Sequence, residues 1–236
     1  EEVLGDDALA WVRQRNEQTL EQLAKRPVFS SLEATLQTIL DDDQRIPAVT
    51  KRGDHLYNFW RDKAHPRGLW RRTTLEEYRS NEPAWEVLLD LDALGQQEDE
   101  NWVWAGATVL RPACSRALVQ LSRGGADARV VREFDLTTKQ FVDDGFEVPE
   151  AKGSVSWIDD NHIFVASDFG PGSMTDSGYP RTARLWRRGT PLADATVVFE
   201  GSSQDMSVSA FHDDSPGYER DYVRRTPSFY ADEMFV

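Results

Sequence analysis

Leu69-Trp70-Arg71-Arg72-Thr73-Thr74 recurs farther along the chain as Leu185-Trp186-Arg187-Arg188-Gly189-Thr190. Between them, Phe134-Asp135-Leu136-Thr137-Thr138 occupies a matching place, so that Trp70, Phe134 and Trp186 follow one another at offsets of 64 and 52 residues. Two β-rich runs precede each copy and a further run follows it, at 85–90, 139–142 and 195–200. A four-stranded unit recurring at roughly 50 residues is the pattern of a propeller blade, and each blade buries its faces only against its neighbours. That arrangement explains why large apolar residues fall on both faces of one strand.

Working outward, the units are expected near 46–92, 101–143 and 153–201, with a partial one over 207–236. A strand of the first with large aromatics is read in Leu56-Tyr57-Asn58-Phe59-Trp60, and Asp159-Asp160-Asn161 marks a tight turn in the third. The last unit starts at Ser207-Val208-Ser209-Ala210-Phe211 and runs through Tyr222-Val223-Arg224-Arg225 to Phe229-Tyr230, without a fourth strand. Propellers close at about 4–8 blades. The expected fold is therefore mainly β, an incomplete β-propeller of about 3.5 four-stranded blades. Such an array has two raw edges, which attract partners.

Residues 1–44 read differently and are expected to form a helical segment ahead of the β region at 45–236. Leu9, Val12, Asn16, Leu20 and Leu23 trace one face of a first helix, capped at Asp6 or Asp7 and ended by Pro27. Ser30 and Glu33 fit a capping box for a second, with Phe29 and Ala34 as a weak staple and Leu32, Leu36, Ile39 and Leu40 as its apolar stripe. Two amphipathic helices of this kind cover another surface.

Composition narrows the function. The 236 residues carry 27 Lys and Arg against 41 Asp and Glu, a formal charge of −14. That field repels phosphate backbones, so nucleic acid is not an expected partner. No apolar run approaches the ~20 residues a membrane helix needs, and Glu1-Glu2-Val3-Leu4-Gly5-Asp6-Asp7 lacks the basic start of a secretory signal. One cysteine, Cys114, forms no intrachain disulfide, which favours a reducing, cytoplasmic location.

The chemistry-bearing residues form no recognisable site. Gly153-Ser154-Val155-Ser156-Trp157 and Gly201-Ser202-Ser203-Gln204-Asp205 both lack the closing glycine of a nucleophile elbow, and they read as turns. His55, His65, His162 and His212 show no zinc spacing. Asp41-Asp42-Asp43 lacks the alternating oxygens of a calcium loop, and Asp213-Asp214 reads as a turn. Asp168 to Pro180 is glycine-rich but holds no lysine for a P-loop. It reads as a long loop between the second and third strands of its blade, either lining one mouth of the propeller or flexible in solvent. No catalytic, cofactor-binding or metal-binding residue is expected, and no cofactor.

Several long blocks are familiar. Ala8-Leu9-Ala10-Trp11-Val12-Arg13-Gln14-Arg15-Asn16 resembles the N-terminal helix of the prolyl oligopeptidase family of serine peptidases (peptidase family S9). Leu56 to Asp62 with His65 to Thr73 is similar to the first blade of bacterial members, as is Asp168-Phe169-Gly170-Pro171-Gly172-Ser173 with Asp176-Ser177-Gly178-Tyr179-Pro180-Arg181. The resemblance implies a seven-bladed propeller covering a C-terminal α/β-hydrolase domain. That domain would carry a Ser-Asp-His triad, cut short peptides after proline and receive substrate through the propeller. This chain ends before the hydrolase domain, so the resemblance implies an inactive part of the enzyme, which is expected to self-associate through open blade faces. A standalone propeller acting as a binding module, or a carbohydrate-active propeller, are the alternatives.

Overall fold

The computed structural model describes residues 5–236. Residues 1–4, where the reading of the chain's opening falls, lie outside the described residues. The chain divides into two compact units, one made of the residues up to Ile46 with Arg61–Ala64, the other of Pro47–Trp60 and His65–Val236.

The first unit is helical. Helix α1 (Asp6–Thr19) runs into a π-helical turn (Leu20–Ala24), and α2 (Pro27–Asp41) follows. Neither helix buries a residue; Trp11, Leu32, Leu36 and Leu40 each stand more than half exposed. Two sequence expectations are corrected here. The cap of α1 is Gly5, whose carbonyl accepts from the Leu9 N–H at 3.0 Å. Asp6 and Asp7 already belong to the first turn, where their charge suits the positive end of the helix dipole. Helix α2 starts at Pro27 with an extended Arg26 before it, so Ser30 is interior and the capping box and staple do not form. Proline presets the first helical φ and gives up an N–H that would have had no partner.

The second unit holds four antiparallel sheets. The first contains β1 (Thr50–Arg52), β2 (His55–Trp60), β3 (Leu69–Thr74) and β4 (Glu86–Asp90), with the short helices α3 (Leu75–Tyr78) and α4 (Leu91–Glu98) beside β4 in sequence. The second contains β5 (Trp102–Val109), β6 (Arg116–Arg123), β7 (Arg129–Asp135), β8 (Gln140–Phe141) and β9 (Glu147–Ala151). The third is β10 (Ser154–Asp159), β11 (His162–Ala166), β12 (Thr182–Arg187) and β13 (Thr196–Glu200), and the fourth β14 (Ser207–Asp213), β15 (Arg220–Ser228) and β16 (Ala231–Phe235). The first, third and fourth sheets are laid down in chain order from the first strand outward, as in a propeller blade, and in the second both β8 and β9 pair with β7.

Alternation along the strands builds the interior. On β6, Ala117, Val119 and Leu121 join Tyr57, Trp70, Leu88 and Leu89 of the first sheet, while Leu118 turns to the third. On β11, Ile163 and Val165 pack with Phe146 and Val148 of the second sheet, and Phe164 packs with Val208 and Ala210 of the fourth. Successive side chains of a strand point to opposite faces. A strand buried on both faces therefore has no polar alternation.

The second and third sheets also share a buried charge. The Glu133 side chain is fully inaccessible. It accepts from Arg116 Nη1 at 2.7 Å, from Arg188 Nη1 and Nη2 at 2.8 and 3.0 Å, and from the Phe146 N–H at 2.9 Å. Burial alone would push this carboxyl up, but the hydrogen bonds from Arg188, Phe146 and Arg116 hold it below the usual range. The Arg188 guanidinium also lies over the Phe146 ring, 4.5 Å from its centre.

Three further expectations change. Trp70, Phe134 and Trp186 do sit on the third strand of their sheets, yet Trp70 is not the counterpart of Trp186. β3 and β12 share one burial pattern, and each has a register shift between its second and third residues, Trp70/Arg71 and Ala183/Arg184. Trp70 thus corresponds to Ala183. The expected fourth strand at 139–142 shrinks to β8, and β9 pairs farther along β7 instead. Finally, the first sheet's outer face is not raw. Leu56, Asn58, Trp60 and Thr73 are all buried there. Arg71 donates to Asn58 Oδ1 at 3.0 Å and stacks over Trp60 and Trp85, while Tyr78 donates to the Pro47 carbonyl at 2.9 Å.

Candidate functional site

The first strands of the sheets meet at a hub, where β10 lies against both β5 and β14. Their C-terminal ends converge on one cavity of about 230 Å³, lined by Arg52, Thr108, Arg111, Ser156, His212 and Asp214. A second cavity, about 190 Å³, shares Arg52, Ala107 and Val109 with it and is walled by Tyr57, Phe59, Trp70 and Trp104. Phe59 stacks on Trp104 at 5.1 Å, and Trp70 tilts against Trp104 at 5.3 Å. Between the two, β5 shifts register from Trp104 to Gly106. Gly106 has a φ of 131°, a conformation that glycine tolerates and other residues do not.

Charge in the first cavity is mixed. Arg111 Nε meets Asp214 Oδ2 at 3.0 Å. Arg52 donates from Nη1 to its neighbour's carbonyl, Lys51 O, at 3.1 Å. His212 Nδ1 lies 2.8 Å from Asp221 Oδ1. Hydrogen bonds from Ser215 hold Asp213 low. Cys114 lies close by against Gly53, and burial pushes its thiol up, away from the reactive thiolate.

Ser156 and His212 line this cavity and Asp221 pairs with His212, which gives the residue types of an acyl-transfer triad but not its geometry. Ser156 Oγ accepts from the His212 backbone N–H at 3.3 Å and donates to the Trp157 carbonyl at 3.3 Å. A serine nucleophile needs its hydroxyl on the imidazole, which takes the proton. Here the imidazole faces the carboxylate of Asp221 while the hydroxyl is spent on backbone.

The other candidates have structural surroundings. Gly153 precedes β10, where an added Cβ would stand 2.2 Å from the Ala166 carbonyl oxygen, so close backbone approach explains that glycine. Gly201 to Asp205 is a strand-to-strand turn closed by Asp205 Oδ2, which accepts from the Ser202 N–H at 2.7 Å. His162 pairs with Asp159 at 3.0 Å across the β10–β11 turn, and His55 opens β2 edge-on to Tyr57. His65 lies between β2 and β3. The Asp42 carboxylate accepts from the Gln44 N–H beyond α2. Among the described residues no group of three or more His, Cys, Asp or Glu is arranged to hold a metal ion.

The loop between β11 and β12 is built rather than loose. Ser173 and Thr175 are buried in it; Ser173 Oγ accepts from the Phe169 N–H at 2.8 Å, and Arg181 Nε donates to the Gly172 carbonyl at 2.8 Å. Ser177 Oγ donates to the Met206 carbonyl at 2.8 Å, tying the loop to the fourth sheet. Of the two readings of this loop, the flexible one is corrected by this network. Sequence reasoning missed Arg52 and Arg111 altogether. The signal available was their position, each at or just past the end of a first strand.

Residues 1–218 match the family described as prolyl oligopeptidase, N-terminal β-propeller domain. A curated peptidase of Sinorhizobium fredii, described as uncharacterized, is 40% identical over 236 residues, 99% of this chain and 32% of the relative. One of Rickettsia prowazekii, likewise described, is 30% identical over 218 residues, 89% of this chain and 30% of its own length. A solved structure of a post-proline cleaving enzyme from Rickettsia typhi superposes with a TM-score of 0.91 at 30% identity, covering 99% of this chain and 35% of that one. The chain thus spans about a third of the length of the curated relatives it matches. No helix of the described residues is long and apolar enough to cross a membrane.

Proposed function

The chain belongs to the prolyl oligopeptidase family, matching its N-terminal β-propeller domain, and on that premise we propose that it is the helical and propeller portion of a serine peptidase that cleaves after proline. The observation that carries this reading is the likeness, over nearly the whole chain, to the post-proline cleaving enzyme of Rickettsia typhi. In the whole protein, an α/β-hydrolase domain would supply the chemistry. Its serine attacks the carbonyl on the carboxyl side of proline, its histidine moves the proton and its aspartate orients the histidine. The propeller admits short peptides and excludes folded chains, because a strand hub with small cavities passes an extended backbone and little else.

This portion alone is inactive in our reading, since Ser156, beside the His212–Asp221 pair at the hub, spends its hydroxyl on backbone. Its partners in the whole protein are the peptide and the hydrolase domain. As an isolated chain it self-associates through the fourth sheet, where Phe229, Tyr230, Met234 and Phe235 are exposed. The single cysteine suits a reducing cytoplasm.

The test compares this chain with the protein encoded by its uninterrupted gene on a Gly-Pro amide reporter. Turnover by the long protein and none by the chain supports the reading. Turnover by the chain itself, or a gene that stops at Val236, removes it and leaves a standalone binding propeller.

A further inference from the structure

We propose that the two adjoining hub cavities form one subsite for the free C-terminal end of a peptide. Arg52 and Arg111 hold its carboxylate, and Phe59, Trp70 and Trp104 receive an apolar last side chain. The inference rests on the reading that peptides enter the propeller, and it names which end of the peptide is held.

The donors come first. Among the described residues, Arg52 engages only the Lys51 carbonyl, through Nη1. A guanidinium has five N–H donors in a planar fork that matches a carboxylate, so most of the Arg52 fork is uncommitted. Arg111 meets Asp214 through Nε, which leaves its two terminal nitrogens for a second oxyanion. In a chain of formal charge −14, the general field repels a peptide carboxylate, so a cavity where two arginines face one carboxylate, Asp214, is a local exception that selects for one.

Adjacency then specifies the ligand. Arg52 lines both cavities, and the second is walled by aromatic rings. A free anion such as phosphate would use the arginines and leave the aromatic wall empty. An Asp or Glu side chain carries its charge with no apolar group beside it. A C-terminal residue carries its carboxylate and its side chain on the same carbon, which suits a cationic cavity next to an aromatic one. Ordered capture of this kind combines a few fixed polar groups with an apolar wall.

The experiment uses this chain as it stands, read by its own tryptophan fluorescence and by calorimetry. The probes are a proline-containing pentapeptide ending in Phe with a free carboxylate, its C-terminal amide, and inorganic phosphate. The free acid should bind at least tenfold more tightly than the amide. Arg52→Gln should abolish that preference while melting like the parent, and equimolar phosphate should fail to displace the acid. Equal binding of acid and amide overturns the proposal, as does full displacement by phosphate, which would mean a general anion site. The acid–amide comparison on the parent chain decides even if the variant fails to fold. Binding here requires no cleavage. Loss of post-proline turnover by the long protein would sink the peptidase reading, and loss of the acid preference would sink only this subsite.

Discussion

The two sides of the third sheet differ in how they are closed. Toward the second sheet, Ile163, Val165 and Trp186 meet Leu118, Phe146 and Val148, and the Glu133–Arg188 bridge ties the pair. Toward the fourth sheet the cluster is smaller, built on Phe164, Ala183, Val208 and Ala210. There a groove of about 530 Å³ remains, lined by Phe164, Leu185, Phe199, Val223 and Phe235. The closed side receives Leu192 and Ala195 from the connection that follows β12, as Leu136 and Phe141 after β7 fill the space between the first two sheets. The lesson is that a sheet interface in this fold is finished by the turn after the third strand as much as by the strands.

The largest break in that comparison should come from Glu133→Ala. It strands Arg188 and Arg116 without their carboxylate, and losing one partner of a buried bridge costs about 3–5 kcal/mol. Urea unfolding should show it, and a loss under 1 kcal/mol would mean the bridge is idle. Next, Ile163→Ala on the closed side should cost about 2–5 kcal/mol. Phe164→Ala, though it removes more atoms, should cost less, because water already reaches the groove beside it. The reverse order would show the two sides to be equally packed.

Acid should loosen the same contacts. Glu86 is pulled down to about 2, first by its hydrogen bond from Arg72 and then by Lys139. Glu133 is also held low, against its burial and by Arg188, and Asp205 is held low by Arg225. A carboxyl lowered in the folded state stabilises it fully above the unfolded pKa of about 4 and progressively less as pH falls through the folded value. Stability should therefore be flat from neutral pH down to about 5 and fall below about 4. A thermal melt that stays constant to pH 3 would contradict this. The smallest effect should be Leu36→Ser on exposed α2, within about 0.5 kcal/mol for this chain.

How much of this was legible follows from the same packing. Strands such as β11 announce themselves because both faces are apolar and the run is bounded by turn residues. The repeat identified the right strand of each sheet and the wrong residue within it. Leu-Trp-Arg-Arg recurs in text, but burial and the register shift are set by which end of the strand faces the hub. The helices α3 and α4 are too short for a periodic pattern, and Arg71 between Trp60 and Trp85 joins residues that only folding brings together. The hub cavities draw on all four sheets, so no local spacing could reveal them. The loop before β12 was visible as glycine and serine, but its hydrogen bonds were not.

The role proposed for these sheets is to gate a post-proline peptidase, admitting short peptides and excluding folded chains. Its most direct test is the rate at which the protein from the uninterrupted gene cleaves a series of peptides of rising length, each with one internal proline. The account predicts cleavage after proline that falls steeply once the peptide is too long or too folded to enter, with folded proteins left intact. Equal rates on short peptides and on folded proteins, or cleavage indifferent to proline, would contradict it.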